Sequence, residues 1–440
     1  MATTRPKSLT LRSYQVGFGD CFLLSFHYNG KTGDRHVLID FGSTGQKKGM
    51  GENLMLRVAQ DIKKQCNGKL HAVVATHRHK DHISGFATNK KKTASGDIIA
   101  SCNPDVVLQP WTEHPKAKVD ATQAPGLTDK QSFVAALGNM HAISEAVLIE
   151  AERRKSVLGP TLFRELSFIG EDNLSNLSAV QNLMHMGSKN VYLNFGSKSG
   201  LEKVLPGVKT KVLGPPTLKQ SKEIRVQRSK DEDEFWMFQA MANQFAIRTN
   251  ANPFRQAKTY SALSQPPFTR WFIKRMRSVR GEQLLGIVRA LDKVMNNTSL
   301  ILLFEVNQTR MLFPGDAQIE NWSYALSKPA IKKLLAKVNV YKVGHHGSRN
   351  ATPKSLWSGF ENRLSKKGKK GDLKTFVSTM SGKHGKASSH TEVPRQTLVD
   401  ALQSDSEYYT TQELKVKNKN KTINGCRYEG TLCIACEIKF

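Results

Sequence analysis

The chain has 440 residues, with 66 Lys and Arg against 37 Asp and Glu and a formal net charge of +29. An apolar fraction of 39% with 20 Phe and 5 Trp excludes a wholly disordered chain, and the lack of a glycine period or sustained heptads excludes collagen-like and coiled-coil classes. Apolar runs such as Leu300–Phe304 fall far short of the roughly 20 residues that cross a bilayer, and Met1–Thr10 has no apolar stretch behind its basic residues, as a secretory signal would.

The expectation is therefore a soluble, cytoplasmic protein with no membrane partner. Leu9–Tyr14 alternates, Cys21–Phe26 is apolar, and His36–Asp40 is a short buried run, so three strands are predicted, punctuated by Gly17, Gly19 and Gly30. Glu52–Gln65 has helical spacing through Leu54, Leu56, Val58 and Ile62, and Leu70–Ala75 reads as a buried strand. This order implies a layered α/β domain. From about Asn103 to Asn190 the pattern turns helical, best over Gln131–Arg154 and Leu177–Met186, before strands at Val191–Phe195 and Lys209–Leu213. Residues 217–235 are polar with mixed charge and read as an exposed loop or a disordered insert. Arg-rich helical sequence runs from Arg270 to Met295, and strands return at Leu300–Glu305, Met311–Phe313, Val338–Val343 and Thr375–Ser378. The resulting division is 1–115 and 296–440 as two α/β halves, separated by a mostly helical, basic insertion over 116–295 with short strands near 191–213.

Cys433-x-x-Cys436 has zinc-ligand spacing, but no second pair completes a four-ligand set. Leu432–Ile438 also reads as a strand, in which positions three apart point to opposite faces. A structural role is the expectation. The charge excess favours an anionic partner, nucleic acid being the commonest.

The densest chemistry is Thr76-His77-Arg78-His79-Lys80-Asp81-His82, directly after the predicted strand Leu70–Ala75. A strand end leading into a loop turns imidazoles at alternate positions to one side, here His77 and His79. The following turn swings Asp81 and His82 towards a second point. Neutral imidazole with carboxylate suits Zn²⁺, Mn²⁺ or Fe, and two adjacent metals can clamp both oxygens of a displacement. Two further strand-then-loop pieces fit the same site. Met311–Phe313 ends in Pro-Gly315-Asp316, and Val340–Val343 ends in Gly-His345-His346-Gly347-Ser348.

With these pieces in that order, the chain resembles the metallo-β-lactamase superfamily. The motifs are His77-x-His79-x-Asp81-His82, Gly315-Asp316 and His345-His346-Gly347-Ser348. Details look most like its competence-type branch, the hydrolase domain of DNA-uptake channel proteins and its soluble relatives. These are Val16-Gly-Phe-Gly-Asp20-Cys, Leu38-Ile-Asp40-Phe-Gly, Asn296-Asn-Thr-Ser299, Lys342-Val-Gly-His-His-Gly-Ser and Ser388-Ser-His390-Thr-Glu-Val-Pro. The likeness covers roughly residues 9–115 and 296–403, about half the chain. It implies an αββα sandwich of two mixed sheets flanked by helices, with two divalent ions, Zn²⁺ or Mn²⁺, at one edge. Carried over by position, His77 and His79 bind one metal, Asp81 and His82 the other, Asp316 bridges, and either His345 or His346 completes the second. Asp40 supports the ligands from behind. No histidine motif between His82 and Asp316 supplies the family's further ligand for the first metal; His114, His141 and His185 are the candidates.

The expected activity is that of a metallohydrolase, with a phosphodiesterase or nuclease cleaving DNA or RNA as the leading reading. Asp81 and His390 are its expected catalytic groups, with His390, or His346 where it is not a ligand, as the proton donor to the leaving oxygen. The alternatives are a hydrolase of a small anionic ester, lactone, thioester or nucleotide, or a non-catalytic nucleic-acid-binding module. Arg270, Lys274 and Arg277 fall at helical spacing in the basic insertion and are the expected phosphate contacts.

Overall fold

The computed structural model describes residues 4–46, 51–114, 152, 177–217, 219–221, 296–348, 351–363, 371–385, 387, 392–414 and 421–440. The chain divides into two units. Met1–Ala136, Ser175–Ile224 and Met295–Phe440 form one, and Leu137–Leu174 with Arg225–Val294 form the other. Every described residue except Glu152 belongs to the first unit. The predicted helix over Gln131–Arg154 (Glu152 excepted), Arg270, Lys274 and Arg277, and His390 lie outside the described residues.

The first unit is mixed α/β and is built on two sheets. One sheet contains β1 (Pro6–Tyr14), β2 (Cys21–Tyr28), β3 (Arg35–Phe41), β4 (Ala72–Val74), β5 (Val106–Pro110) and β6 (Lys189–Leu193). The second contains β7 (Lys209–Gly214), β8 (Ile301–Val306), β9 (Thr309–Phe313), β10 (Val340–Lys342), β11 (Lys374–Val377) and β12 (Glu407–Thr410). The C-terminal strands β13 (Thr422–Ile423), β14 (Cys426–Glu429) and β15 (Cys433–Lys439) return to the first sheet, where β15 pairs antiparallel with β1. The orders are β13-β14-β15-β1-β2-β3-β4-β5-β6 and β12-β11-β10-β9-β8-β7.

Side-chain alternation explains how the sheets lie. In β8, Leu302, Phe304 and Val306 enter a core that also takes Leu9 and Leu11 of β1, Phe22 and Leu24 of β2, and Val37 and Ile39 of β3. The two sheets therefore share one apolar interior. Ile301 and Leu303 point the other way, into a cluster with Trp322, Ala325, Leu335, Trp357 and Leu402 from the helices Ile319–Leu326, Pro329–Ala336, Lys354–Gly359 and Gln396–Asp405. A period of two places successive residues on opposite faces, and both faces of β8 are covered, so it is apolar except for Glu305, which pairs with Arg310. The Leu54–Gln65 helix buries Leu54, Val58 and Ile62 of the predicted stripe together with Ala59, while Leu56 is only half-buried.

Strand direction places the chemistry. β3, β4, β5 and β6 run parallel to one another, as do β9, β10, β11 and β12. The loops that follow β3, β4, β9, β10 and β11 therefore leave from carboxyl ends, the usual location of sites in parallel sheets.

At the C-terminus Cys436 is joined to Cys426, its cross-strand partner, and Cys433 is a buried free thiol. The two residues of the Cys-x-x-Cys spacing thus serve different faces, and the zinc reading is excluded for Cys436. No helix among the described residues is long and apolar enough to cross a membrane.

Candidate metal centre

Asp40, the penultimate residue of β3, lies in the left-handed region with φ 54°, which turns its carboxylate towards the end of β4. There Thr76 N donates to Asp40 Oδ1, and Thr76 Oγ1 to Oδ2, both at 2.7 Å. His82 Nδ1 donates to the same Oδ2 at 2.8 Å. A carboxylate only accepts, so Nδ1 carries a proton and Nε2 faces inward, the nitrogen that would ligate once a metal displaces any proton on it. The loop can approach this closely because of two glycines. A Cβ on Gly42 would lie 2.4 Å from the Asp81 carbonyl carbon, and one on Gly19 would lie 2.7 Å from the Asp81 carbonyl oxygen.

The second sheet supplies the opposite wall. Asp316 follows β9, and its Oδ1 accepts from the His345 backbone N–H at 3.0 Å. His345 and His346 follow β10 with φ of 45° and 52°. Two consecutive non-glycine residues in this region cost roughly 1–3 kcal/mol each, strain of the kind that gathers at functional loops. Its result is that His346 Nδ1 donates to the Ser378 carbonyl at 2.9 Å, which leaves Nε2 2.8 Å from Asp81 Oδ2.

Three sets of ligand atoms gather within 4.8 Å of one another among the described residues: Asp81, His82, Asp316 and His346; His77, His79 and Asp81; and Asp20, Asp40 and His82. In the first set His82 Nε2 and Asp316 Oδ2 lie 3.1 Å apart. These two atoms and Asp81 Oδ1 are buried without a hydrogen-bond partner. Leaving such atoms unmade costs about 1–3 kcal/mol each, and a cation between them would offset that cost. In the second set His77 Nε2 and His79 Nδ1 are 3.0 Å apart. The buried His/Asp groups therefore fit a metal ion, with mixed nitrogen and oxygen donors.

Electrostatics agree. Burial pushes the His77 imidazole well below its usual value, with His82 and His79 adding to the effect, and burial holds His79 down to about 4. Both are neutral at pH 7, the form that ligates. Burial opposes charge on His82, yet Asp316, Asp40 and Asp81 overcome it and raise its pKa well above normal. Burial would likewise raise Asp316, but His82, His345 and His346 hold it well below the carboxylate range. The carboxylates thus create a field that recruits positive charge.

Of the predicted residues, the structure brings His77, His79, Asp81, His82, Asp316 and His346 together, with Asp40 behind them. It distinguishes the paired histidines: His346 joins the four-residue set, whereas His345 Nε2 stands 3.8 Å from Asp316 Oδ2 and its side chain keeps 27% exposure. His114 is buried against Tyr192, with ring centroids 4.6 Å apart, and His185 is exposed at the end of the Leu177–His185 helix; neither joins a ligand set. Their surroundings are those of packing and surface. His141 lies outside the described residues.

Sequence reasoning missed the Asp20–Lys342 ion pair. Lys342 is 2% exposed, and its Nζ also donates to the Gly315 carbonyl at 3.1 Å. The available signal was a lysine inside the otherwise apolar strand Val340-Tyr-Lys-Val. Thr76 and Ser378 were also missed, because their roles depend on loops from distant strands meeting.

No protein-family profile matches the chain, and no curated protein matches it.

Proposed function

We propose that the chain is a metal-dependent hydrolase of the αββα metallo-β-lactamase type, acting on phosphodiester bonds of nucleic acid. The observation that carries the metal reading is the buried quartet Asp81, His82, Asp316 and His346, with its unpartnered inward-facing atoms. Two Zn²⁺ or Mn²⁺ ions are the proposed complement, one held by Asp81, His82, Asp316 and His346, the other by His77, His79 and Asp81. Bound there, a divalent ion supplies Lewis-acid polarisation and lowers the pKa of a water nucleophile. The chain's own part is orientation. Asp40 fixes the His82 ring through Nδ1, Ser378 fixes His346 through Nδ1, and the His345 backbone N–H commits Asp316 Oδ1 so that Oδ2 faces inward. Asp81 is the proposed acceptor for the proton of the attacking water, and His390 the proposed donor to the leaving oxygen.

The nucleic-acid substrate is supported by the net charge of +29, which attracts polyanions and predicts binding that weakens steeply with salt. Cytoplasmic location belongs to the same reading. Incubation with labelled DNA and RNA in Mn²⁺ or Zn²⁺ tests it. Degradation that stops with EDTA, and falls by roughly 10²–10³-fold in Asp316→Ala while circular dichroism is unchanged, is expected. Intact nucleic acid alongside metal-dependent hydrolysis of a small ester or lactone would move the substrate to that class. Full activity in Asp316→Ala would reject the site.

A further inference from the structure

The third donor set, Asp20, Asp40 and His82, meets the distance requirement for a cation, yet its donors are already engaged. Asp40 accepts from Thr76 N, Thr76 Oγ1 and His82 Nδ1. Asp20 Oδ2 pairs with the ammonium of Lys342. That ammonium also donates to the Gly315 carbonyl at 3.1 Å and stands 3.6 Å from Asp316 Oδ1. Carbonyl and carboxylate oxygens surround it much as they would surround a cation. Asp20 in turn lies 3.7 Å from His82 Nδ1 and 3.7 Å from His346 Nδ1, and its backbone N–H donates to the Asp81 carbonyl at 2.9 Å. One ion pair thus touches the surroundings of all four residues of the quartet.

We propose that Lys342 is a resident cation of the centre. Its ammonium balances Asp20 and Asp316, keeps the quartet in shape without metal, and lowers metal affinity by like-charge repulsion. Lys342 is a positioning residue in this role, and the inference rests on the metal reading above. The alternative is that Lys342 merely fills space and ties loops together. Charge and packing separate cleanly in two variants. Lys342→Met removes the cation and leaves buried carboxylates without it, the costly case for a buried pair. Asp20→Asn/Lys342→Met removes one charge of each sign and restores the net charge at similar volume, a change that buried pairs often tolerate.

Wild type and both variants are compared by thermal unfolding, metal-free and with saturating Mn²⁺, and by calorimetric titration with Mn²⁺. Failure of the wild type to bind Mn²⁺ or Zn²⁺ would overturn the metal reading and this inference with it. Given wild-type binding, Lys342→Met is expected to lose several degrees more without Mn²⁺ than with it. It should bind Mn²⁺ at least about tenfold tighter, a conservative floor beneath the full Coulomb effect of removing a like charge a few ångströms away at an effective dielectric of about 20. The double variant should regain most of the metal-free midpoint. An equal fall with and without Mn²⁺, or unchanged or weaker affinity, would assign Lys342 to packing and overturn the proposal while leaving the metal reading standing. Should Lys342→Met not fold, the double variant decides: a folded, Mn²⁺-binding double variant supports charge balance, and a second unfolded protein overturns it.

Discussion

β3 and β4 carry buried histidines near both ends, and the two ends have opposite chemistry. At the entry end, His36 Nδ1 meets Ser25 Oγ at 2.9 Å, the His36 backbone N–H donates to His71 Nδ1 at 3.0 Å, and Arg35 Nη1 lies 2.7 Å from His71 Nε2. Burial lowers both imidazoles to about 4, with Arg35 assisting at His71. Neither ring belongs to a set of described donors that could hold a metal. At the exit end, Asp40, His77, His79, Asp81 and His82 are equally buried, but carboxylates converge on the rings and Asp81 Oδ1 and His82 Nε2 have no hydrogen-bond partner. Buried imidazole is common to both ends. What distinguishes the candidate centre is carboxylate geometry and acceptor atoms left open.

That contrast can be broken from either side. The larger effect is expected at the exit end, in Asp40→Asn. The amide loses the charge that orients His82 and offers one acceptor where the carboxylate offers two. Metal affinity should fall by about 10–100-fold, the usual cost of removing a group that orients a ligand. Titration with Mn²⁺ would check it, and an unchanged affinity would mean that Asp40 only holds Thr76.

The smaller effect belongs to the entry end. His36 and His71 have folded pKa values of about 4 against 6.5 in the unfolded chain. Above pH 6.5 both states are neutral and the full stability is present. As pH falls from 6.5 towards 4 the unfolded state takes up protons that the folded state refuses, so stability is lost. The loss is on the order of 2 kcal/mol per histidine. His36→Gln/His71→Gln should flatten that acid slope in denaturant titrations and leave metal content unchanged. A change in metal content would erase the distinction between the ends.

The sequence disclosed the exit end because its ligands are concentrated in three short stretches, each following a buried strand. Spacing within His77–His82 needs no knowledge of the fold, and Gly315-Asp316 and His345-His346 sit where strand signals stop. Spacing left the choice between His345 and His346 open, because successive left-handed residues decide which ring turns inward. Asp20 and Lys342 were legible only as parts of motifs. Their pairing requires the loop before β2 and the strand β10 to meet across two sheets, a long-range fact that local patterns do not carry. The same holds for the return of β13–β15 to the first sheet, where β15 takes the place beside β1. Strand cores such as Cys21–Phe26 and Met311–Phe313 were correctly placed, with ends moved by one to three residues, as with β1, which begins at Pro6 instead of Leu9; β5 (Val106–Pro110), inside the span read as helical, was missed.

The most direct test of the central claim is an anomalous-difference map from crystals grown with Mn²⁺, recorded near the manganese edge. The metal reading predicts a peak enclosed by Asp81, His82, Asp316 and His346, and none beside His36 and His71. Manganese bound elsewhere on the protein, with no peak inside that quartet, would contradict it.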